Sequence, residues 1–500
     1  MFDRDAEWAD LAGFALSALP GLRIAVVYGR RRQGKSYLLR RLTDAVDGLY
    51  HLATEQAESV SLRRFGDSLA AWSGLSAGAF GFGDWEQALR TAAEALSARS
   101  RQPASPGVPA LLVLDEFPYL AQETPGLPSI VQSLYDTLGP GAGTAAIPLR
   151  LILCGSAISV MADLLSGTKA LRGRAALELR VRPFDYRDAR AYWGITNPAA
   201  AFAHNAVVGG TPGYRELVAE PRVPEDPAQL GDWLAGNVLR PSMPLFDEAR
   251  RVVHEDPRIR DTGTYSSVLA AVAAGESSPT KIGGLLGRPA TSLEHQLATL
   301  ASAGFIDRHH DLLLNRRPVV TVADPMVRFH ELIIEPYQAD LEAGRPNPVW
   351  AEAEHTVESK IFGPHFEALA AGWVARHASA EAGLTVGPVG QTVVACREHK
   401  AGHEIDVLAL TRGSRPRSRG APVAFIGEAK HRDRRPGLAE LRRLHHLRSL
   451  LTDSGHDAAD AALGLFSASG FTEELEAEAA SSRGKILLAN LDTLYGRRSG

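Results

Sequence analysis

The sequence predicts an α/β protein whose N-terminal part is built around a parallel sheet, and three segments carry that reading. The apolar run Ile24-Ala25-Val26-Val27-Tyr28 leads through Gly29-Arg30-Arg31-Arg32-Gln33-Gly34-Lys35-Ser36 into a helical pattern, the signature of a buried strand turning into a helix N-terminus. Leu111-Leu112-Val113-Leu114 ends in the carboxylates Asp115 and Glu116. Leu149-Arg150-Leu151-Ile152-Leu153-Cys154 ends in Gly155-Ser156. Near-continuous apolar runs of this length suit strands covered on both faces, as in a parallel sheet between helical layers.

The first segment fits G-x-x-x-x-G-K-[ST] without a mismatch, the phosphate-binding loop of P-loop NTPases. Its glycines let backbone N–H groups converge on a triphosphate without Cβ clashes, and Lys35 brings a point charge to the β and γ phosphates. Gly29, Gln33, Gly34, Lys35, Ser36 and Tyr37 are the candidate ATP contacts, and Ser36 would hold Mg²⁺. Leu38, Leu39, Leu42 and Ala45 then recur at helical spacing over residues 37–46, so the dipole of that helix points at the phosphates.

The second segment, apolar residues followed by Asp115-Glu116, is the Walker B pattern. Asp115 would hold Mg²⁺ through water, and Glu116 would orient and deprotonate an attacking water. A Pro/Ser/Gly-rich stretch from Arg99 to Val108 precedes it and reads as surface loop. Ser156, at the tip of a third strand lying between the two Walker strands, would face the γ-phosphate and the catalytic water, the position called sensor 1. The competing reading is a strand-terminal turn serine.

Length and composition bound the rest. Five hundred residues with 45% apolar and 22% charged content imply two to four globular domains. A formal charge of −4 gives no global attraction to nucleic acid, so DNA binding would rest on local basic patches. Cys154 and Cys396 stand apart, which fits a reducing compartment and argues against a disulfide framework or a cysteine-based zinc site. The N-terminus MFDRDAEWAD lacks a basic-then-apolar signal, and no apolar run reaches the roughly 18 residues needed to span a bilayer. The expectation is a cytoplasmic protein with no membrane partner.

In order along the chain, these segments resemble the archaeal-type ATPases of the AAA+/STAND branch of P-loop proteins. Phe2-Asp3-Arg4-Asp5-Ala6-Glu7-Trp8 is similar to that family's F-x-x-R-x-x-E-L opening, which lies over the adenine, with Trp8 in place of leucine. Leu111 to Leu120 is close to its Walker B phrase. Leu171-Arg172-Gly173-Arg174 followed by Arg182-Pro183-Phe184 resembles its GR…PF segment, which implies an arginine presented to the nucleotide: Arg174, with Arg172 as the competitor. Gly209-Gly210-Thr211-Pro212-Gly213-Tyr214 matches its GG-x-P-x-Y phrase, which implies that Pro212 approaches the base at the start of a helical lid. The resemblance implies a P-loop ATPase core over residues 1–190 and a helical lid over 191–255.

Residues 256–340 read as a winged-helix middle domain. Residues 266–274, 279–286 and 290–303 have helical patterns, Gly287 sits in a turn, and residues 305–306 and 312–314 suggest a two-stranded wing. Were it to bind DNA, Thr291, Ser292, His295 and Gln296 would face the major groove and Arg308, Arg316 and Arg317 would meet phosphates. The alternative is a packing module, since Glu294 is anionic and the recognition helix carries no lysine or arginine.

Gly344-Arg345-Pro346-Asn347-Pro348 suggests a linker ahead of an α/β C-terminal domain at residues 350–500. Glu367 lies on a helix opening near Gly363; two strand-like runs follow, one carrying Asp406 and one ending Glu428-Ala429-Lys430. Strand alternation puts Glu428 and Lys430 on one face, where Asp406 and Glu428 would share a divalent ion with the help of the backbone oxygen of Ala429. Lys430 would lower the pKa of an attacking water or stabilise phosphorane charge, and Glu367 would complete the site. This pattern resembles the PD-(D/E)xK nuclease superfamily, whose restriction-endonuclease-like domain the same ATPases carry at their C-terminus. Arginines at 432, 434, 435, 442, 443 and 448 form a basic concentration beside it, suited to phosphate contact or to a solvated helix face. His431, His445 and His446 have no partners at metal-ligand spacing.

The function expected from the sequence is an ATP-hydrolysing switch coupled to a DNA-directed, Mg²⁺-dependent nuclease-like domain, with ATP and Mg²⁺ as cofactors, DNA as partner and a homo-oligomer as the assembly to test. The alternative is a STAND-type regulator whose later domains bind DNA or protein without cleavage. A regulator acting through the winged helix is a third reading.

Overall fold

In a computed structural model, residues 2–100, 109–143, 147–167, 169–219, 222–316 and 318–496 are described. Most of the expected surface stretch at residues 99–108, and Arg317, lie outside them. The chain forms two compact units. Met1–Pro183, Thr211–Gly213 and Arg251–Arg260 make the first; Phe184–Gly210, Tyr214–Arg250 and Asp261–Gly500 make the second.

The first unit is organised by five strands: β1 (Arg23–Tyr28), β2 (Leu49–Leu52), β3 (Ala110–Asp115), β4 (Leu149–Gly155) and β5 (Ala175–Arg180). All pair in parallel in the order β2-β3-β4-β1-β5, so β4 lies between the strands that end in the phosphate loop and in Asp115. Alternation explains why the central runs are apolar throughout. Ile24, Val26, Leu112, Leu114, Leu151 and Leu153 join one core, whereas Ala25, Val27, Leu111, Val113, Ile152 and Cys154 join the core on the opposite face. Arg150, fully buried within this pattern, caps the start of β4 by donating to the carbonyls of Gly21 (3.0 Å) and Leu19 (2.6 Å).

The second unit begins with the helices Tyr186–Trp193, Pro198–Val208 and Leu230–Asn237. Arg187 ties the first of these to the end of the chain, donating to Leu494 O at 2.8 Å and pairing with Glu381 through both terminal nitrogens. Three helices follow, Thr262–Ala273, Pro279–Leu286 and Glu294–Ser302, then an antiparallel ribbon of β6 (Ile306–His309) and β7 (Val319–Val322). Ser278 caps the second of these helices, and Gly287 ends it at φ +63°, a left-handed turn that favours glycine.

Two expected elements fall elsewhere. The second ribbon strand is Val319–Val322 rather than residues 312–314, because Leu312 and Leu313 are buried in the C-terminal core and Leu312 N–H donates to Gln391 O. The residues read as a linker start a helix, Pro346–Thr356, in which proline at the first turn forfeits no intrahelical bond. That helix runs through a π-helical turn, Val357–Phe362, into Gly363–Arg376.

The C-terminal sheet holds β8 (Val386–Cys396), β9 (Ala401–Thr411), β10 (Val423–Lys430), β11 (Ala462–Ser467) and β12 (Ile486–Ala489) in the order β12-β11-β10-β9-β8. β8, β9 and β10 pair antiparallel; β10, β11 and β12 pair in parallel. Helix Leu438–Asp453 covers one face through Leu441, Leu444, Leu447 and Leu451, which share a core with Leu408, Ile426 and Leu463. No helix among the described residues is long and apolar enough to cross a membrane.

Candidate functional site

The phosphate loop leaves β1 at Gly29, where a Cβ would stand 2.3 Å from Val181 O, so only glycine fits. Arg32 and Gly34 take positive φ (67° and 89°), and helix Lys35–Ala45 starts directly after them. Lys35 is buried, and its Nζ donates to Arg30 O at 2.9 Å. Gln33 is buried as well, with its Oε1 lacking a hydrogen-bond partner. Tyr37 is largely exposed, its ring beneath Arg41.

The two expected ligands for Mg²⁺ meet: Ser36 Oγ donates to Asp115 Oδ2 at 2.6 Å, and Tyr50 donates to the same oxygen. Tyr50 was not anticipated, since β2 is too short to signal its register. Burial and the Asp115 carboxylate push its hydroxyl above the usual range. Glu116 follows in a left-handed conformation, φ 55°. Its carboxylate accepts from Ser156 Oγ at 2.9 Å and from Ser156 N–H at 3.2 Å. Desolvation raises the Glu116 pKa despite the pull of Lys35 and the Ser156 bonds in the other direction.

Two further segments close on the loop. Gly213 N–H donates to Arg32 O at 3.0 Å, and a Cβ at Gly213 would lie 2.6 Å from that of Arg32, so the Gly-Thr-Pro-Gly phrase containing Pro212 sits directly against the loop. Arg4, nearly buried, donates to Gln33 O at 3.2 Å, to Arg182 O at 2.7 Å and to Glu7 at 2.7 Å. The sequence offered this clasp only as the arginine and glutamate of the opening phrase, three positions apart. Arg174, expected at the nucleotide, instead forks onto Asp136 at 3.1 and 3.2 Å, and Arg172 donates to Gly167 O. Arg31 pairs with Glu255.

In the second unit, β9, β10 and helix Gly363–Arg376 gather the other expected group. Lys430 Nζ lies 3.2 Å from both Asp406 Oδ2 and Glu428 Oε1, and Ala429 N–H donates to Asp406 Oδ2 at 3.0 Å. Arg443 Nε stands 3.2 Å from Glu428 Oε2. The two carboxylates hold Lys430 above the usual lysine range against the opposing effect of burial. Glu367 keeps solvent access, yet desolvation and then the nearby Asp406 carboxylate push its carboxyl up to about 7.

Other candidates are dispersed. Thr291, Ser292 and His295 are exposed, Gln296 half-buried, and Arg308 pairs with Glu294 at 3.5 Å. Arg316 lies 2.8 Å from Asp311, a residue whose Oδ1 organises the turn by accepting from Leu313, Leu314 and Thr392. Of the basic concentration, Arg434 pairs with Glu440, Arg435 donates to Ser469 O and Arg448 to Ala461 O. His431 meets Glu358 at 3.1 Å. The expectation that Cys396 stands alone and that His446 has no metal-ligand partner is corrected: they converge with His399 and His403. The spacing Cys-x-x-His-x-x-x-His was visible in sequence, but its fourth member lies on a distant helix.

Residues 1–194 match the family model of an ATPase domain predominantly from Archaea. Over 326 residues the chain is 24% identical to an uncharacterised protein of Methanocaldococcus jannaschii, an alignment that covers 64% of this chain and 66% of that relative, just under two thirds of its length. The Walker-type ATPase of Pyrococcus abyssi superposes with a TM-score of 0.48 at 16% identity, covering 66% of this chain and 96% of its own. The ORC2 protein of Aeropyrum pernix, solved as ADPNP–ADP complexes, gives 0.40 at 14% identity over 71% of this chain and 95% of its own. By the family model, the phosphate-loop part of this chain is similar to ATPase domains found predominantly in Archaea.

Proposed function

We propose that this chain is an ATP-binding and ATP-hydrolysing switch coupled to a DNA-directed, Mg²⁺-dependent nuclease-like domain. The observation that carries the first half is the meeting of the two Walker segments, Ser36 Oγ on Asp115 Oδ2 at 2.6 Å with Glu116 held by Ser156 beside them. A hydroxyl and a carboxylate are hard oxygen donors that fit Mg²⁺, and the unpartnered Gln33 Oε1 fits a polar ligand at the loop. When bound, Mg²⁺ neutralises charge on the β and γ phosphates.

The residues divide the remaining work. Lys35 exchanges the Arg30 carbonyl for phosphate oxygens. Glu116, desolvated and with a raised pKa, orients water and accepts its proton, while Ser156 fixes the carboxylate's orientation. Pro212, held against the loop through Gly213, borders the base. Arg174 or Arg172 would reach a nucleotide only by leaving its present partner, as it would towards a neighbour in a homo-oligomer.

The second half rests on the cluster of Glu367, Asp406, Glu428 and Lys430 on a mixed sheet. Asp406 and Glu428 would hold Mg²⁺, Lys430 would stabilise charge developing on the scissile phosphate, and Glu367 would complete the site. The three helices and ribbon at residues 262–322 support a winged-helix reading, with exposed Thr291, Ser292 and His295 available to DNA. One observation favours the regulator that does not cleave: Lys430 and Arg443 already neutralise the carboxylates that a metal would need.

The test is a pair of variants in each half. Lys35→Ala weakens nucleotide binding by at least about 100-fold and abolishes Mg²⁺-dependent hydrolysis, whereas Glu116→Gln keeps binding and slows hydrolysis by about 10²–10⁴-fold. Undiminished hydrolysis by both refutes the site. Plasmid nicking with Mg²⁺ or Mn²⁺ disappears in Asp406→Ala and in Lys430→Ala; wild-type protein that never nicks DNA under any nucleotide condition selects the regulator.

A further inference from the structure

We propose that Cys396, His399, His403 and His446 form a closed four-ligand site for a zinc-class divalent ion, distinct from the carboxylate cluster. The hairpin builds three of the ligands. β8 ends at Cys396, the turn reverses through Lys400 at φ 50°, and β9 returns with Ala401 opposite Cys396 and His403 opposite Val394. His446 arrives from helix Leu438–Asp453, whose leucines anchor it to the sheet.

One ligand atom from each residue lies within 4.8 Å of all the others. Cys396 Sγ is 3.2 Å from His399 Nδ1 and 3.5 Å from His446 Nε2, and His403 Nε2 is 3.3 Å from His399 Nδ1. Around tetrahedral zinc, bond lengths of about 2.3 Å to sulfur and about 2.0–2.1 Å to nitrogen put adjacent ligand atoms roughly 3.3–3.6 Å apart. The cluster therefore has the size of a zinc coordination shell.

Hydrogen bonding alone accounts for it poorly. His399 Nδ1 faces both Cys396 Sγ and His403 Nε2, and a ring nitrogen carries either one proton or one lone pair. A cation at the common centre takes a lone pair from each of the four. Thiolate and imidazole select a borderline-soft ion over Mg²⁺ or Ca²⁺, and four protein ligands leave no open position, the mark of a structural rather than a catalytic ion.

The ion would pin the hairpin tip to the helix that carries Arg443, one turn before His446. Arg443 reaches Glu428 Oε2 at 3.2 Å. The clip thus positions a cation over the carboxylate cluster, and it does so whether or not that cluster cuts DNA.

The test uses the full-length protein purified under reducing conditions. Elemental analysis should find about one zinc per chain. Replacement by Co²⁺ should produce a thiolate-to-cobalt charge-transfer band and the intense visible bands of tetrahedral cobalt. Cys396→Ser should abolish the charge-transfer band, and His446→Gln should weaken zinc affinity by at least about 100-fold. His445→Gln, one residue away on the same helix, should leave both readouts intact, and circular dichroism reports whether each variant folds. Reduced wild-type protein without the charge-transfer band overturns the proposal even if the variants fail to fold. Zinc retained by both ligand variants overturns it as well.

Discussion

The phosphate-loop site and the carboxylate–lysine site each set a lysine near acidic groups, but they handle its charge in opposite ways. Lys35 donates to a backbone carbonyl, and among the described residues no carboxylate stands within ion-pair distance of it. Asp115 is held by hydroxyls from Ser36 and Tyr50. Lys430 is held between Asp406 and Glu428, and Arg443 supplies a second cation to Glu428. The first site keeps its charges apart, the arrangement that the proposed nucleotide and cation would enter together. The second is neutralised from within, so a metal entering it must displace an ammonium group. Preorganisation for ligand and stabilisation of the ligand-free fold are therefore divided between the two units.

The largest effect that would break this contrast belongs to Lys35. Lys35→Ala removes the loop's point charge from the phosphates, and we expect ATP affinity to fall by at least about 100-fold, roughly 2.7 kcal/mol. Because that lysine forms no ion pair, the melting temperature without nucleotide should hardly move. Calorimetric titration and thermal unfolding check the two halves. A large loss of ligand-free stability with unchanged affinity would reverse the contrast.

How much of this was legible in sequence follows from where each site's parts lie along the chain. Gly29 to Ser36 is one contiguous loop whose function requires particular residues at fixed positions, so the strand, turn and helix could be read directly. Asp115 and Ser156 were found because each ends an apolar strand, and β4 does lie between β3 and β1. Arg174 shows the limit: its proximity to glycine says nothing about Asp136, which captures it from a remote helix. Residues 312–314 were apolar enough to read as a strand, but their leucines serve another core. His446 was missed for the same reason as Tyr50. Side chains that meet through tertiary folding leave no local spacing to detect.

A smaller effect probes how tightly the phosphate loop is held. A Cβ on Gly213 would lie 2.6 Å from Arg32 Cβ and 3.1 Å from Arg32 O. Gly213→Ala must therefore push the Gly-Thr-Pro-Gly phrase off the loop and stretch the Gly213 N–H to Arg32 O bond. Overpacking of this kind costs about 1–3 kcal/mol. We expect a lower melting temperature and weaker ATP binding together. If only one changes, the phrase and the loop are not coupled.

The carboxylate site should respond in the complementary sense. Lys430→Ala leaves Asp406 and Glu428 facing each other, and with the lysine about one-third exposed the destabilisation should be about 1–2 kcal/mol rather than the larger cost of a fully buried pair. The sharper readout is the cation dependence. Mg²⁺ should raise the melting temperature of this variant more than that of the wild-type protein, because the ion takes the place of the ammonium group instead of competing with it. Equal Mg²⁺ shifts would mean that Asp406 and Glu428 do not share a metal.

The smallest expected effect is a pH dependence with a definite sign. The Glu367 carboxyl is raised from 4.5 to about 7, first by desolvation and then by Asp406. Between those values the folded protein holds a proton that the unfolded chain releases. The contribution is therefore fully present below about pH 4.5 and lost as pH rises through 7. Its size should stay below about 1 kcal/mol, because solvent reaches the side chain. Glu367→Gln should flatten this part of the stability profile, measured by chemical denaturation at closely spaced pH values. Mg²⁺ bound at Asp406 would weaken the repulsion and flatten the wild-type profile in the same window. A wild-type profile that Mg²⁺ leaves unchanged would separate Glu367 from Asp406 and Glu428, reducing the proposed four-residue site to three.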